Sequence, residues 1–447
     1  MAKTSGFFYS QDALREMTAK LIELARTKGA SACEAEVSEG FGLNVTVRKK
    51  EIETIEHNRD KGLTITVFAG KQKGSAGTSD FSPAAIDEAV SRALSIARNT
   101  ASDEYAGLPK EEMLAREFPD LDLYHPWNLK VEQAVESARE CEAAAFAADR
   151  RVSNSEGASV TTQEAHFVYG NSLGFLAGYP TSRHGLSCSV IAGKGSRMQR
   201  DDWYSTSRIP ARLESATGIG KRAGERCVKR LGAKKIATAQ ANVLFEAPAA
   251  AGLFGHFVAA ASGGNLYRKS SFLVDRLDTE IFSPHLTIRE APFLSAGLAS
   301  SAFDGEGVAA RDRDVVRDGA LKGYFLSSYS ARKLGMRSTG NAGGNHNLLL
   351  DGRVLPFEAL LREMDTGLLV TELLGQGVNL VTGDYSRGAA GFWIEHGEIA
   401  YPVEETTIAG NLKDMFRSIV AIGDDVVIRG SVQCGSVLVA GMTIAGE

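Results

Sequence analysis

Few groupings of side chains in this sequence could carry out chemistry. One segment, Gly170-Asn171-Ser172-Leu173-Gly174, matches the G-x-S-x-G pattern of serine hydrolases. That pattern exposes its serine only where a strand turns sharply into a helix. Residues 175–183 contain glycine and proline and show no helical period, so Asn171-Ser172 favours a hairpin turn instead. We expect no nucleophilic serine at this position.

The histidines and cysteines form no recognisable metal motif. H-E-x-x-H and C-x-x-C are absent, and no two of the eight histidines are spaced as a ligand pair. His256 lies in an alanine-rich run, with Leu253 and Ala260 on the same helical face, which is typical of a packed core histidine. Cys434 lies in the β-like run 432–439, where a small buried residue is the simplest interpretation. No Walker A or G-x-G-x-x-G motif indicates a nucleotide site.

Composition excludes several classes of protein. The 447 residues carry 50 Lys+Arg against 55 Asp+Glu, a net charge of −5, so no basic surface for nucleic acid is expected. No apolar run is long enough to span a bilayer, and residues 1–10 lack a secretory apolar region. The five cysteines are scattered and odd in number, which is typical of reduced thiols. These features predict a cytoplasmic protein that binds neither nucleic acid nor membrane.

The elements that would position any site follow a repeated order in the first half of the chain. A helix capped by Ser10 precedes alternating strands, and a second helix begins at Ser82-Pro83. A further helix over 131–149, strands over 151–210 and a helix over 213–231 repeat this order. We therefore predict an N-terminal domain, 1–231, built of helices on antiparallel strands. Two subregions, about 1–105 and 129–231, are possible within it.

The pattern changes after Gly232. A strand over 242–245 leads into the alanine-rich run 247–262, which predicts a buried helix. Short strands broken by glycines follow at a spacing near ten residues, which is typical of a barrel or a sandwich. The prediction is an α+β protein whose C-terminal domain, 232–447, is mainly β.

The last third of the chain resembles the TldD/PmbA family, also called modulator of DNA gyrase proteins, and in particular its PmbA (TldE) branch. The resemblance extends with less specific motifs over essentially the whole chain. The segments that carry it are NLVTGDYSRGAAGFWIE (379–395), YPVEE (401–405), TIAGNL (407–412), QCGSVL (433–438), DGEG (304–307) and STGN (338–341).

The resemblance implies a cytosolic metallopeptidase system. Catalytic members of the family carry H-E-x-x-x-H on a helix and a cysteine near the C-terminus as the third zinc ligand. In such a site the glutamate takes a proton from zinc-bound water. Members of the family process or degrade peptides and small unfolded proteins, including microcin precursors and an antitoxin.

This chain departs from the catalytic pattern. Aligning residues 264–269 with the family's matching segment places Gly255 and Ala260 at the two histidine positions and His256 at the glutamate position, while Cys434 is retained. One imidazole and one thiolate are too few ligands for catalytic zinc. The resemblance thus implies no catalytic residue, no metal and no cofactor in this chain; it assigns no substrate-binding residue.

This pattern leaves three hypotheses for the function of the chain. In the first, the chain is the metal-less subunit of a heterodimer, its TldD-like partner holds the zinc, and extended peptides are the substrates. The isolated chain would then be a monomer or a homodimer. In the second, the chain is a self-sufficient homodimeric peptidase with an irregular site that uses Cys434 and His256. In the third, it is a non-proteolytic adaptor of a toxin–antitoxin or gyrase system.

Overall fold

The computed structural model of the chain describes residues 6–446. The segment 1–10, in which no secretory region is expected, therefore lies partly outside the described residues. No helix in the described part of the chain has the length and apolarity needed to cross a membrane.

The N-terminal region contains four helices and seven strands. The helices are α1 (Gln11–Thr27), α2 (Pro83–Asn99), α3 (Val131–Ala148) and α4 (Ala216–Lys229). The strands are β1 (Ala32–Arg48), β2 (Glu51–Ala69), β3 (Gln72–Thr78), β4 (Val152–Asn171), β5 (Leu176–Ala177), β6 (Pro180–Ala192) and β7 (Gln199–Ser207). Three short 3-10 turns lie between them, at Glu111–Met113, Gly195–Arg197 and Pro210–Arg212.

Local sequence signals account for the helix starts. The Ser10 hydroxyl accepts a hydrogen bond from the Ala13 amide at the start of α1, and the Ser82 hydroxyl does the same for α2, whose first residue is Pro83. Side-chain caps and an initial proline both stabilise a helix N-terminus. The helices predicted from Ser10, from Ser82-Pro83 and over 131–149 are confirmed, and α4 is slightly shorter than the predicted 213–231.

All seven strands belong to one antiparallel sheet, in the order β3-β2-β1-β4-β6-β7, with β5 on β4. Strands β1 and β4 pair from Glu34 opposite Asn171 to Val47 opposite Ala158, so the two helix–strand rounds share a single sheet. The four helices cover one face of it. Helix α2 lies so close to β3 that a Cβ at Gly74 would stand 2.2 Å from the Ala93 carbonyl oxygen, which explains a glycine there.

The C-terminal region begins with strand β8 and helix α5, and the connection to α4 contains the predicted boundary near residue 232. Its helices are α5 (Ala247–Ala260), α6 (Gly263–Tyr267), α7 (Ser328–Lys333), α8 (Phe357–Met364) and α9 (Leu412–Arg417). Its strands are β8 (Ala239–Phe245), β9 (Thr287–Glu290), β10 (Arg313–Arg317), β11 (Ala320–Leu321), β12 (Leu348–Asp351), β13 (Val354–Leu355), β14 (Gly367–Leu374), β15 (Asp384–Glu395), β16 (Glu398–Asn411), β17 (Ile419–Gly423), β18 (Val432–Gln433) and β19 (Val437–Ala445).

A closed barrel forms the centre of this region. Strands β19, β16, β15, β14 and β8 pair in that order, and β8 pairs again with β19 to close the ring. Closure leaves these strands without a free edge. One side of their strands packs with Phe254 and Phe257 of α5 into the largest core, and the other side packs with α8. The predicted α+β class, the mainly β C-terminal region and the barrel alternative are confirmed.

Aromatic residues join the two regions on the sheet face opposite the helices. The Phe303 ring contacts the rings of Phe175 and Tyr179, with centroids 5.1 and 5.7 Å away. Buried Tyr169 and Leu114 belong to the same cluster. The helix-free face of the N-terminal sheet is therefore directed toward loops of the C-terminal region.

Candidate functional site

Helix α5 carries Gly255, His256 and Ala260, the three positions that the family resemblance assigns to the two histidine ligands and the general base. Gly255 is exposed, and a Cβ there would meet no atom within 4 Å. Ala260 is fully buried in the core. Since successive helical residues rotate by about 100°, positions 255 and 260 point about 140° apart around the helix. Neither residue offers a donor atom for a metal.

His256 is half-buried between these two positions. Its ring meets Tyr385 edge-on, with centroids 6.0 Å apart. Burial, and secondarily the charge of Arg387, lower the pKa of His256, so the imidazole is neutral at pH 7. Its Nε2 atom and the hydroxyl of Tyr385 are both buried, and neither has a hydrogen-bond partner among residues 6–446. The side chains of His256 and Tyr385 are therefore the polar groups that this part of α5 and β15 places together.

Cys434 lies in the break between β18 and β19, so the prediction of a continuous strand over 432–439 is wrong at this residue. The break occurs where Ser436 turns to bond with Asp425: its amide is 2.8 Å from Oδ1 and its hydroxyl 2.6 Å from Oδ2. Burial and the Asp425 carboxylate raise the pKa of the Cys434 thiol to about 12.

These side chains do not fit a zinc ion. Catalytic zinc requires three protein ligands, and Gly255 and Ala260 supply none. In the described part of the chain, no three His, Cys, Asp or Glu side chains are grouped so that they could hold a metal. Ser172, in the G-x-S-x-G segment, lies in the turn between β4 and β5, and its hydroxyl accepts a hydrogen bond from the Cys33 amide. The predicted hairpin turn is confirmed.

A cleft of about 540 Å³ lies between the helix-free face of the sheet and two loops, 299–305 and 342–346. Buried Glu290, at the end of β9, organises the second loop. Its Oε1 accepts from the Asn341 amide at 2.7 Å and from the His346 backbone amide at 2.8 Å. Its Oε2 accepts from Arg313 Nε at 2.8 Å. Burial alone would raise the pKa of Glu290, but the His346 imidazole, whose Nδ1 lies 3.1 Å from Oε1, the charge of Arg313 and the His346 amide hold it below its ordinary value.

Asp304 organises the first loop in the same way. Its Oδ1 accepts from the amides of Glu306 and Val308, and its Oδ2 accepts from the Ala342 amide, each at 2.9 Å. The last bond ties the two loops together. Sequence reasoning assigned Glu290 no role and included Asp304 and Asn341 only as part of the family resemblance, because their common partners lie far apart in the chain.

The buried carboxyl of Asp304 should make the protein less stable as the pH rises from about 4 to 7. Burial raises the pKa of Asp304 to about 6 from 3.8. A carboxyl with a higher pKa in the folded state favours folding below its unfolded pKa, and this contribution is lost as the pH rises through the folded pKa. The difference between the pKa of Asp304 in the folded and unfolded states corresponds to a contribution of about 3 kcal/mol to the free energy of unfolding.

Urea unfolding of the wild type and of Asp304→Asn across this pH range measures that contribution. The asparagine variant loses the hydrogen bond from the Ala342 amide and should be less stable than the wild type at low pH. Its free energy of unfolding should not show the decrease between pH 3.8 and about 6 that the wild type shows. Parallel pH profiles for the two proteins would contradict the assignment.

A larger cleft, about 1110 Å³, opens between β3, the loop 100–107 and α7. Tyr329 of α7 donates a hydrogen bond to Asp103 at 2.7 Å, and Lys333 lies over the Tyr105 ring at 4.3 Å. Residues 73–75 of β3 line the opposite wall. Because β3 is the terminal strand of its sheet, this cleft exposes a strand edge together with charges of both signs.

The fold defines the class of the protein, which is metallopeptidase-like. Family models for the PmbA/TldA metallopeptidase match the chain in three parts: domain 1 over residues 33–97, the central domain over 124–231 and the C-terminal domain over 238–446. The chain belongs to the PmbA/TldD family.

Comparisons with individual proteins support this family assignment. The chain is 49% identical to the metalloprotease PmbA of Escherichia coli O157:H7 over 97% of this chain and 96% of that protein. It is 47% identical to a PmbA homologue of Haemophilus influenzae over the same shares of the two chains. A putative modulator of DNA gyrase from Bacteroides thetaiotaomicron superposes with a TM-score of 0.93 at 25% identity, over 98% of this chain and all of that one.

Proposed function

We propose that this chain is the metal-free subunit of a cytoplasmic TldD/PmbA-type metallopeptidase, in which a second, zinc-bearing family member supplies the metal and the general base. The observation that carries the proposal is the side-chain chemistry of α5: Gly255 and Ala260, at the positions that the resemblance assigns to the two histidines, have no atom that could bind a metal. All five cysteines are free and buried, which supports a reducing compartment.

The substrates proposed for the assembled peptidase are extended peptides and small unfolded proteins, the class that includes a microcin precursor or an antitoxin. The larger cleft supports this class, because β3 exposes an edge to it and main-chain hydrogen bonds to a strand edge need little sequence preference. Lys73, Asp103 and Lys333 add charges of both signs along the walls. Such a surface favours a variable chain over one small ligand.

The proposal predicts that the isolated chain neither holds zinc nor cleaves peptides. Purified without a metal-binding tag, it should carry far less than one zinc per chain by elemental mass spectrometry. Mixing it with a zinc-bearing family subunit should produce cleavage of an unstructured peptide. His256→Ala should change that rate by less than about twofold, whereas replacing the glutamate of the partner's H-E-x-x-x-H should lower it by about 10²–10⁴-fold, as for loss of a general base.

Each alternative gives a different result in the same assays. About one zinc per isolated chain, or loss of cleavage on His256→Ala, would contradict the proposal and favour the self-sufficient peptidase. Specific retention of an antitoxin or gyrase by this chain, with no cleavage when the zinc-bearing subunit is present, would favour the adaptor.

A further inference from the structure

A second, smaller pocket lies beside the larger cleft, and Arg332 of α7 lines both spaces. Its volume is about 240 Å³, and its walls come from α7, from residues 336–338 and from the turn Glu111–Met113 with the lysine before it. Pockets for whole small-molecule ligands usually measure roughly 300–1,000 Å³. This pocket is smaller than that, so it suits one amino-acid residue or a group of similar size.

One wall of this pocket is apolar. Met113 and Ala331 are buried and line it, and Met336 lines it with 39% of its surface exposed. Methionine side chains are flexible and adapt to apolar groups of different shapes. The wall therefore fits an apolar side chain without selecting a single type.

The pocket also contains a buried hydroxyl that lacks a partner. Ser328 lines the wall and is 5% exposed, and its Oγ has no hydrogen-bond partner among residues 6–446. Its backbone amide is already used, because it donates to Glu306 Oε2 at 2.8 Å. A buried hydroxyl without a partner lowers stability unless a group from outside the chain bonds with it. Ser328 thus indicates that a polar group enters this pocket.

The charges around the pocket show which polar group this is. Lys110, Arg332 and Arg337 line it, against one acidic residue, Glu112. Arg332 donates to the carbonyls of residues 105, 107 and 108, at 2.7 to 3.0 Å, and these neutral acceptors leave its charge unpaired. Arg337 is exposed and makes no hydrogen bond or ion pair in the described part of the chain. Lys110 and Glu112 are 4.0 Å apart and largely exposed, so that pair is weak, and the pocket favours an anion.

We propose that this pocket binds the C-terminal residue of a peptide. The terminal carboxylate accepts a hydrogen bond from the Ser328 hydroxyl and pairs with Lys110 and Arg337. The side chain of the same residue packs against Met113 and Met336. In a polypeptide, a carboxylate and an apolar side chain belong to one residue only at the C-terminus, so this combination selects a chain end.

The inference rests on the proposed function only for its ligand class, which is extended peptides. Because Arg332 lines both spaces, a peptide whose last residue occupies the pocket can extend its preceding residues into the larger cleft, toward β3. The pocket thus fixes the end by which an extended chain is held. Main-chain pairing with a strand edge needs little sequence preference, so the chain end supplies the selectivity.

Binding to the isolated full-length chain tests the proposal without zinc or a second subunit. The probe is a short fluorescent peptide that ends in leucine, compared by fluorescence polarisation with the same peptide carrying a C-terminal amide. Charge-assisted hydrogen bonds are the stronger kind, so the free acid should bind at least about tenfold more tightly. N-acetyl-leucine should displace the free acid, whereas N-acetyl-leucinamide and inorganic phosphate at the same concentration should not.

Two sets of substitutions locate the site. Lys110→Ala with Arg337→Ala changes exposed side chains, so the fold should persist while the affinity for the free acid falls about tenfold. Ser328→Ala removes an unpaired hydroxyl, so the thermal midpoint should stay equal or rise, yet binding of the free acid should weaken about tenfold. The matched control is Arg150→Ala, another exposed arginine, which should change neither quantity.

The opposite outcomes are equally clear. Equal affinity for the acid and the amide, no binding of either peptide, displacement by phosphate, or unchanged binding in Ser328→Ala would overturn the proposal. Absence of cleavage in the mixture with a zinc-bearing subunit would contradict the proposed function instead, and it would leave a preference for the free acid intact.

Discussion

Glu290→Ala is expected to lower the free energy of unfolding by about 3–5 kcal/mol, the cost of removing one partner from a buried charged network. Glu290 is 1% exposed, and its loss removes the acceptor of Arg313 Nε and of the His346 amide, and one of the two acceptors of the Asn341 side-chain amide. Arg313 is the most costly of these, since its side chain is only 19% exposed and Glu290 is the carboxylate that neutralises it. Urea unfolding of the two proteins at pH 7 measures the difference.

The neighbouring Arg289→Ala serves as the control for this substitution. Arg289 also belongs to an ion pair, with Asp312 at 2.6 Å, but its side chain is 56% exposed. An exposed pair contributes at most about 1 kcal/mol. If Glu290→Ala and Arg289→Ala lowered the free energy of unfolding by similar amounts, the hydrogen-bond network around the 342–346 loop would not be a main source of stability.

Arg226→Ala is also expected to lower the free energy of unfolding by about 3–5 kcal/mol. It should in addition loosen the connection between the two regions. Arg226 of α4 binds both carboxylate oxygens of Glu246, at 2.5 and 3.0 Å, and Asp201 at 3.2 Å. Glu246 directly precedes α5, so this arginine links the last N-terminal helix to the helix that carries Gly255, His256 and Ala260. Its loss leaves two largely buried carboxylates without their main partner.

Two measurements separate this effect from a general loss of stability. Limited proteolysis of the native protein should cut the connection at residues 230–238 faster in Arg226→Ala than in the wild type, under conditions where both remain folded. The control is Lys221→Ala on the same helix, whose ion pair with Glu225 spans 3.8 Å and is 68% exposed on the lysine side. Unchanged cleavage at the connection would contradict the linking role.

Much of the secondary structure was predictable because its signals are local. Ser10, Ser82 and Pro83 mark helix starts by their own chemistry, and the alternating residues 41–47 predict a strand wherever it pairs. The position of Cys434 was predicted incorrectly, because the break after Gln433 depends on Asp425, a residue eleven positions before the serine that it binds. The clefts were not predictable, since each is bounded by segments more than 100 residues apart in the chain.

The sequence by itself determined that Gly255 and Ala260 cannot bind a metal through their side chains, because a donor atom is a property of the residue type and neither residue has one. It also determined the alternation of strands and helices, since periodicity is read from neighbouring residues. Only the tertiary structure decided that both N-terminal rounds share one sheet and that residues 51–61 of β2 form its exposed edge. The same is true of the carboxylates of Glu290 and Asp304, which hold the loops of the interdomain cleft. Strand pairing and burial depend on contacts between distant segments, which no local pattern records.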